Sequence, residues 1–162
     1  MITFIRIDDR IIHGQTCTRW SLEYPCTGLV AVNDKAAGNS VLKAAYKNAS
    51  DKKTFVWTLA DWQAKKDKVV KSDDKYFLIA KNSVDMAKIL LDQPFDPGLK
   101  EIVVGPCNDR PGAIKLGNNQ SVTQEEAEAF EKLMAAGYNI EFALVKETAI
   151  GNWTKFRGQF GF

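Results

Sequence analysis

Histidine is nearly absent: in 162 residues the only one is His13. That scarcity excludes mechanisms that need two imidazoles, such as the histidine phosphatases and mutases, and it excludes His-rich metal sites. Cysteine is scarce and odd in number, with Cys17, Cys26 and Cys107 in neither metal nor redox spacing. They read as free thiols of a reducing compartment, and no metal or other cofactor is expected. No apolar run approaches the roughly 20 residues that cross a bilayer. The stretch Met1 to Arg6 lacks the charged and then apolar pattern of a secretory signal, so the cytoplasm is the expected location. A Gly-x-x-x-x-Gly-Lys-Ser/Thr loop, a Gly-x-Gly-x-x-Gly turn after a strand and a Gly-x-Ser-x-Gly elbow are all missing. Charge excess is missing too: the formal net charge is +2, with lysines and acids interspersed, which argues against nucleic acid as a partner.

What remains is ordinary globular composition, 45% hydrophobic and 26% charged, on a chain sized for one domain over residues 1–162. Apolar runs alternate with helical patterns. Strands are expected at Ile2 to Ile7, Gly28 to Val32, Thr54 to Thr58, Tyr76 to Ala80, Glu101 to Val104 and Ile140 to Val145, with a short extended piece near Ile114 to Leu116. Helices are expected at Gln15 to Tyr24, Lys35 to Asn48, Ala60 to Lys71, Ser83 to Leu91 and Thr123 to Ala136. The alternation predicts an α/β fold: a single open, mainly parallel sheet. Its near-continuous Val/Ile/Leu/Phe strands call for helices on both faces. Thr123 and Glu126 have capping-box spacing, and Gly137 ends that helix. Asp34 and Ser83 are the expected caps of their helices. The aromatic tail from Gly151 to Phe162 is expected to dock on the body or on a partner.

Ligands of open α/β sheets bind beyond the carboxyl ends of the strands. Three polar clusters fall there: Asp8 to Gln15, Asn33-Asp34-Lys35, and Gly105 to Gly112 with Arg110. They are expected to converge on one site. Imidazole titrates nearest neutrality, so His13 suits a nucleophile. Arg10, three residues before it, is placed to reach a phosphoryl group on it. Asp8 or Asp9 would hold Arg10 or fix the imidazole tautomer, and Gly14 would admit a phosphate close to the backbone. Helix N–H groups near Gln15 would add an anion cradle. The plainer reading of the same residues is a solvated turn at Asp8 to Arg10, with His13 as a helix cap. For Asn33 to Lys35 the plainer reading is a cap, and for Arg110 a surface turn.

The stretch Arg6-Ile7-Asp8-Asp9-Arg10-Ile11-Ile12-His13-Gly14-Gln15 closely resembles the signature of IIB components of the mannose/fructose/sorbose family of the bacterial sugar phosphotransferase system, differing only at Ile11. Thr18-Arg19-Trp20, Val32-Asn33-Asp34, the loop with Gly105, Arg110 and Gly112, and Ser121-Val122 extend the likeness over nearly the whole chain. The resemblance implies an open sheet of about seven strands. It implies a phosphohistidine at His13, usually on Nδ1. The phosphoryl group would come from a phosphorylated IIA protein and pass to a sugar imported through membrane IIC and IID components. The chain would then lie at the inner membrane face, and a homodimer is compatible with the family.

On this reading His13 is nucleophile and carrier, and Arg10 leads in stabilising charge, with Arg6 and Arg110 behind it. Gly14 and Gln15 supply the cradle, an aspartate orients, and Asn33 and Asp34 stand further out. Pro106, Cys107, Lys35, Thr16 and Cys17 depart from the family pattern. Two other readings stay open: a non-catalytic anion-binding or regulatory module, and a stand-alone enzyme using Asp8, Asp9 or Asp34 as its second acid/base group. Mannose, fructose, sorbose, N-acetylgalactosamine and related amino sugars or glycated amines all stay open as the sugar.

Overall fold

The computed structural model describes residues 1–162, apart from the side chains of Gln15 and Thr16. The chain runs β1 (Ile2–Ile7), α1 (Gly14–Ser21), β2 (Gly28–Val32), α2 (Asp34–Ala37), α3 (Ser40–Asn48), β3 (Lys53–Trp57), α4 (Leu59–Lys71), β4 (Tyr76–Ala80), α5 (Ser83–Leu91) and β5 (Glu101–Val104). It continues through β6 (Ile114–Gly117), β7 (Gln120–Val122), α6 (Gln124–Ala135), β8 (Asn139–Ala143), β9 (Ala149–Asn152) and α7 (Trp153–Phe156). Seven strands form one sheet in the order β3-β2-β4-β1-β5-β8-β9, parallel throughout except where β9 pairs antiparallel with β8. Strands β6 and β7 form a separate hairpin. The α/β expectation therefore holds.

All five residues of β2 and of β4 are buried, because both faces of the sheet are covered. On one face Trp62 of α4, Met86 and Ile89 of α5, Phe130 and Leu133 of α6 and Trp153 of α7 pack on Ile5, Leu78 and Phe142. On the other, Cys17 and Trp20 of α1 and Ala36 of α2 cover Phe4, Leu29, Val56 and Phe77. From β1 the chain moves outward to β2 and β3, returns through β4 beside β1, and then steps across to β5 on the far side. The carboxyl end of β1 thus lies at the switch point between β4 and β5.

Several local expectations shift. The helix expected over Lys35–Asn48 divides at Gly38-Asn39, where Asn39 Oδ1 accepts the Val41 and Leu42 N–H groups at 3.0 and 3.1 Å and starts α3 afresh. Asn33, not Asp34, caps α2, accepting the Ala36 N–H at 2.9 Å. Asp34 is free to accept the Leu59 N–H at 2.7 Å, which ties α2 to α4. Asn82, not Ser83, caps α5, and the Ser83 hydroxyl instead donates to the Glu126 carbonyl at 2.8 Å. The capping box of Thr123 and Glu126 forms as expected, and Gly137 takes a φ of 94° after α6. The tail docks on the body: Trp153, Phe156 and Phe160 are all buried.

Candidate active site at the end of the first strand

Beyond β1, two adjacent aspartates bond to opposite neighbours. The Asp8 N–H donates to Ala80 O of β4 at 2.9 Å, and the Asp9 N–H donates to Pro106 O after β5 at 2.9 Å. Asp8 then organises the turn. Its Oδ1 accepts the Arg10 N–H at 2.9 Å and its carbonyl accepts the Ile11 N–H at 2.9 Å. Ile11 is forced to a φ of 62° while its side chain stays buried. A β-branched residue in that region is strained, and the buried side chain is what holds it there. The chain straightens at His13 (φ −129°, ψ 124°), the residue that starts α1.

Arg6 points from β1 under α1 and is 3% exposed. Its Nε lies 3.4 Å from Asp8 Oδ2, Nη2 donates to Leu144 O at 3.1 Å, Nη1 donates to Ala143 O at 3.4 Å, and the guanidinium lies 5.3 Å from the Trp20 ring centre. Burial lowers the affinity of this guanidinium for its proton, with Asp8 opposing. A Cβ on Gly105 would sit 2.2 Å from Arg6 Nη2, so glycine there makes room for the buried cation. Arg6 is therefore a structural ion whose partner, Asp8, also faces Arg10: Arg10 Nε is 3.6 Å from Asp8 Oδ1, and the Arg10 side chain is 43% exposed.

His13 is half-buried, and its side chain makes no capping bond. Its Nδ1 is buried and has no hydrogen-bond partner among the described residues, and neither aspartate bonds to the ring. The imidazole lines a narrow cleft of about 10 Å³ with Arg6, Asp8, Ile11, Cys17 and Trp20. A Cβ on Gly14 would meet the Ala49 carbonyl oxygen, at the end of α3, at 2.5 Å. The expectation for the Gln15 side chain lies outside the described residues. The Cys17 thiol is pushed up to about 11, mainly by burial, and the Cys107 thiol to about 12 for the same reason.

The three polar clusters lie at the carboxyl end of the sheet but in separate cavities. Asn33, Asp34 and Lys35 line one of about 200 Å³ with Asp85 and Lys88. Arg110 lines another of about 230 Å³ with Asp9, Lys81, Asn82 and Glu126. Arg110 is held there by an ion pair to Glu126 and by donation to Asn108 O at 2.5 Å. Asp8 thus belongs with Arg6 and His13, whereas Asp9 belongs with Arg110. Sequence reasoning missed Lys81 and Asn82. Both directly follow the apolar run of β4, and the carboxyl-end rule that found the other clusters also reaches them.

A family model for the PTS system sorbose subfamily IIB component matches residues 2–161. The mannose-specific EIIAB component of Escherichia coli (strain K12) is 28% identical over 145 residues, covering 87% of this chain and 43% of that protein, so the chain spans less than half of that relative. The fructose-specific EIIB component of Bacillus subtilis (strain 168) is 27% identical over 149 residues, covering 86% of this chain and 85% of that one. The crystal structure of manxB from Thermoanaerobacter tengcongensis superposes with a TM-score of 0.81 at 26% identity, covering 99% and 96% of the two chains. The IIBSor domain of the Klebsiella pneumoniae sorbose permease gives 0.82 at 24% identity over 93% of each, a likeness of fold. With the family match running almost end to end over the sheet and the loop just described, the chain belongs to the sorbose subfamily of IIB components of the phosphotransferase system.

Proposed function

We propose that the protein is a phosphoryl carrier of a sugar phosphotransferase system and that His13 is the carrying residue. The observation behind this reading is the state of His13: the only imidazole starts a helix without capping it, and its Nδ1 has no partner among the described residues. Neutral imidazole has one nitrogen lone pair free to attack phosphorus. In the first step that lone pair forms a new N–P bond as the N–P bond to the phosphorylated IIA protein breaks, and the IIA imidazole leaves with the electron pair. In the second step a sugar hydroxyl oxygen attacks phosphorus as the N–P bond to His13 breaks; the His13 imidazole leaves with the bonding pair, and the hydroxyl proton ends on it. Arg10 and the N-terminal N–H groups of α1 offset charge on the equatorial oxygens. Arg6 contributes indirectly, by fixing Asp8 and through it the turn that carries Arg10.

The name of the EIIAB relative joins the A and B components in one protein, which supports a IIA partner here. Membrane IIC and IID components would present the sugar, with the chain on the cytoplasmic face. Among the described residues no helix is long and apolar enough to cross a membrane. Relatives named for mannose, fructose and sorbose define the sugars to test.

Transfer to Nδ1 requires the ring to turn out of its cleft, because that atom is buried. Incubation with phosphorylated IIA is expected to add one acid-labile phosphoryl group, which phosphorus NMR assigns to Nδ1. In His13→Ala it is expected to disappear, and labelling that persists there would overturn the assignment.

A further inference from the structure

We infer that the cavity on the Asp9 side of the loop is a second site, which binds a neutral, hydroxyl-rich molecule of monosaccharide size on this chain itself. The inference extends the carrier reading, which by itself needs no such site here. The cavity measures about 230 Å³, below the roughly 300–1,000 Å³ of drug-sized pockets. Its charged lining balances: Asp9 and Glu126 against Lys81 and Arg110, together with Asn82 and Asn108. A bare anion would meet two carboxylates, and a bare cation would meet a lysine and an arginine. Hydroxyl groups, each donor and acceptor at once, suit such a lining without adding charge.

One atom gives the site a direction. Asp9 Oδ2 accepts the Asn108 N–H at 2.7 Å, but Asp9 Oδ1 is buried and has no partner among the described residues. An unpaired buried carboxylate oxygen is costly, and a ligand hydroxyl that donates to it removes that cost. Oδ1 is closed to solvent as the carboxylate stands; the terminal torsion of aspartate is soft, and turning about it as the ligand enters is the movement that brings Oδ1 to the cavity. The neighbouring cavity at Asp34 has similar charge balance, but Asp34 is committed to the Leu59 N–H, and no polar atom of its lining residues is both buried and unpartnered among the described residues.

The test is an amide NMR titration of the full chain with mannose, fructose and sorbose, and separately with glucosamine and argininamide. Neutral sugars are expected to give saturable shifts at Asp9, Lys81, Asn82 and Asn108. Lys81→Met, and Asn82→Ser, which keeps a capping oxygen, are expected to weaken binding about threefold to tenfold, the range of one hydrogen bond. Both variants should still take a phosphoryl group on His13. Absence of saturable shifts with every neutral sugar, equal affinity in both variants, or binding of argininamide alone would each overturn the site. Phosphorylation of His13 without sugar binding defeats this inference and leaves the carrier reading intact. Sugar binding without phosphorylation does the reverse.

Discussion

Arg6 and Asp8 carry opposite charges into the interior, at side-chain exposures of 4% and 2%. Removing one partner of such a pair strands the other. Asp8→Ala is therefore expected to lower unfolding free energy by about 3–5 kcal/mol, measured by urea denaturation. Gly105→Ala attacks the same ion from the other side, by pressing a methyl group on Arg6 Nη2, and is expected to cost about 1–3 kcal/mol. At this scale the sequence was partly legible. The run from Arg6 to Gln15 announces a charged loop after a strand, and the structure puts it at the sheet's switch point. Spacing does not reveal which of two arginines is buried. Arg6 lies on the last turn of a pleat covered by Trp20, whereas Arg10 lies past the strand. Nor does it reveal that neighbouring aspartates serve opposite sides, because that follows from two strands that arrive much later in the chain.

Among the elements, the long strands and the helices with strong apolar periodicity were legible, and their boundaries were less so. Lys35 to Asn48 reads as one helix because its apolar spacing runs through Gly38 and Asn39, yet the Asn39 side chain captures two N–H groups and restarts it. Asn39→Ala is expected to destabilise by about 1 kcal/mol, seen as a lower urea midpoint, without affecting the proposed phosphorylation of His13. Strand β9 was invisible: four residues, with Gly151 at a φ of 136°, offer neither alternation nor an apolar run, and only the edge of β8 gives them a partner. At Ser83 and Asp34 the right kind of residue was read one position late, since an asparagine precedes each and its amide oxygen reaches the third N–H.

For the whole molecule, two thiols sit in cores on the two sides of the sheet, Cys17 under α1 and Cys107 near β7. Both folded values are raised, to about 11 and about 12, from an ordinary 9.0. Above pH 9 the unfolded chain releases thiol protons that the folded chain retains, so the unfolded state binds fewer protons and stability falls as pH rises. This contribution is fully present below pH 9 and is lost through about pH 11–12. Urea midpoints from pH 8 to pH 11 are expected to drop more steeply in the natural protein than in a Cys17→Ala, Cys107→Ala variant. A wider consequence comes from the contact of Gly14 with the Ala49 carbonyl. The negative end of α3 abuts the positive end of α1 at the residue next to His13, and the two fields oppose each other there. A helix start standing alone would grip an anion; one facing a carbonyl grips it less. For the phosphoryl group that the proposed carrier would pass on, that moderation is an asset, because each increment of ground-state affinity would have to be overcome before the next transfer. On the carrier reading, the packing of two helix ends would set how readily the site lets go.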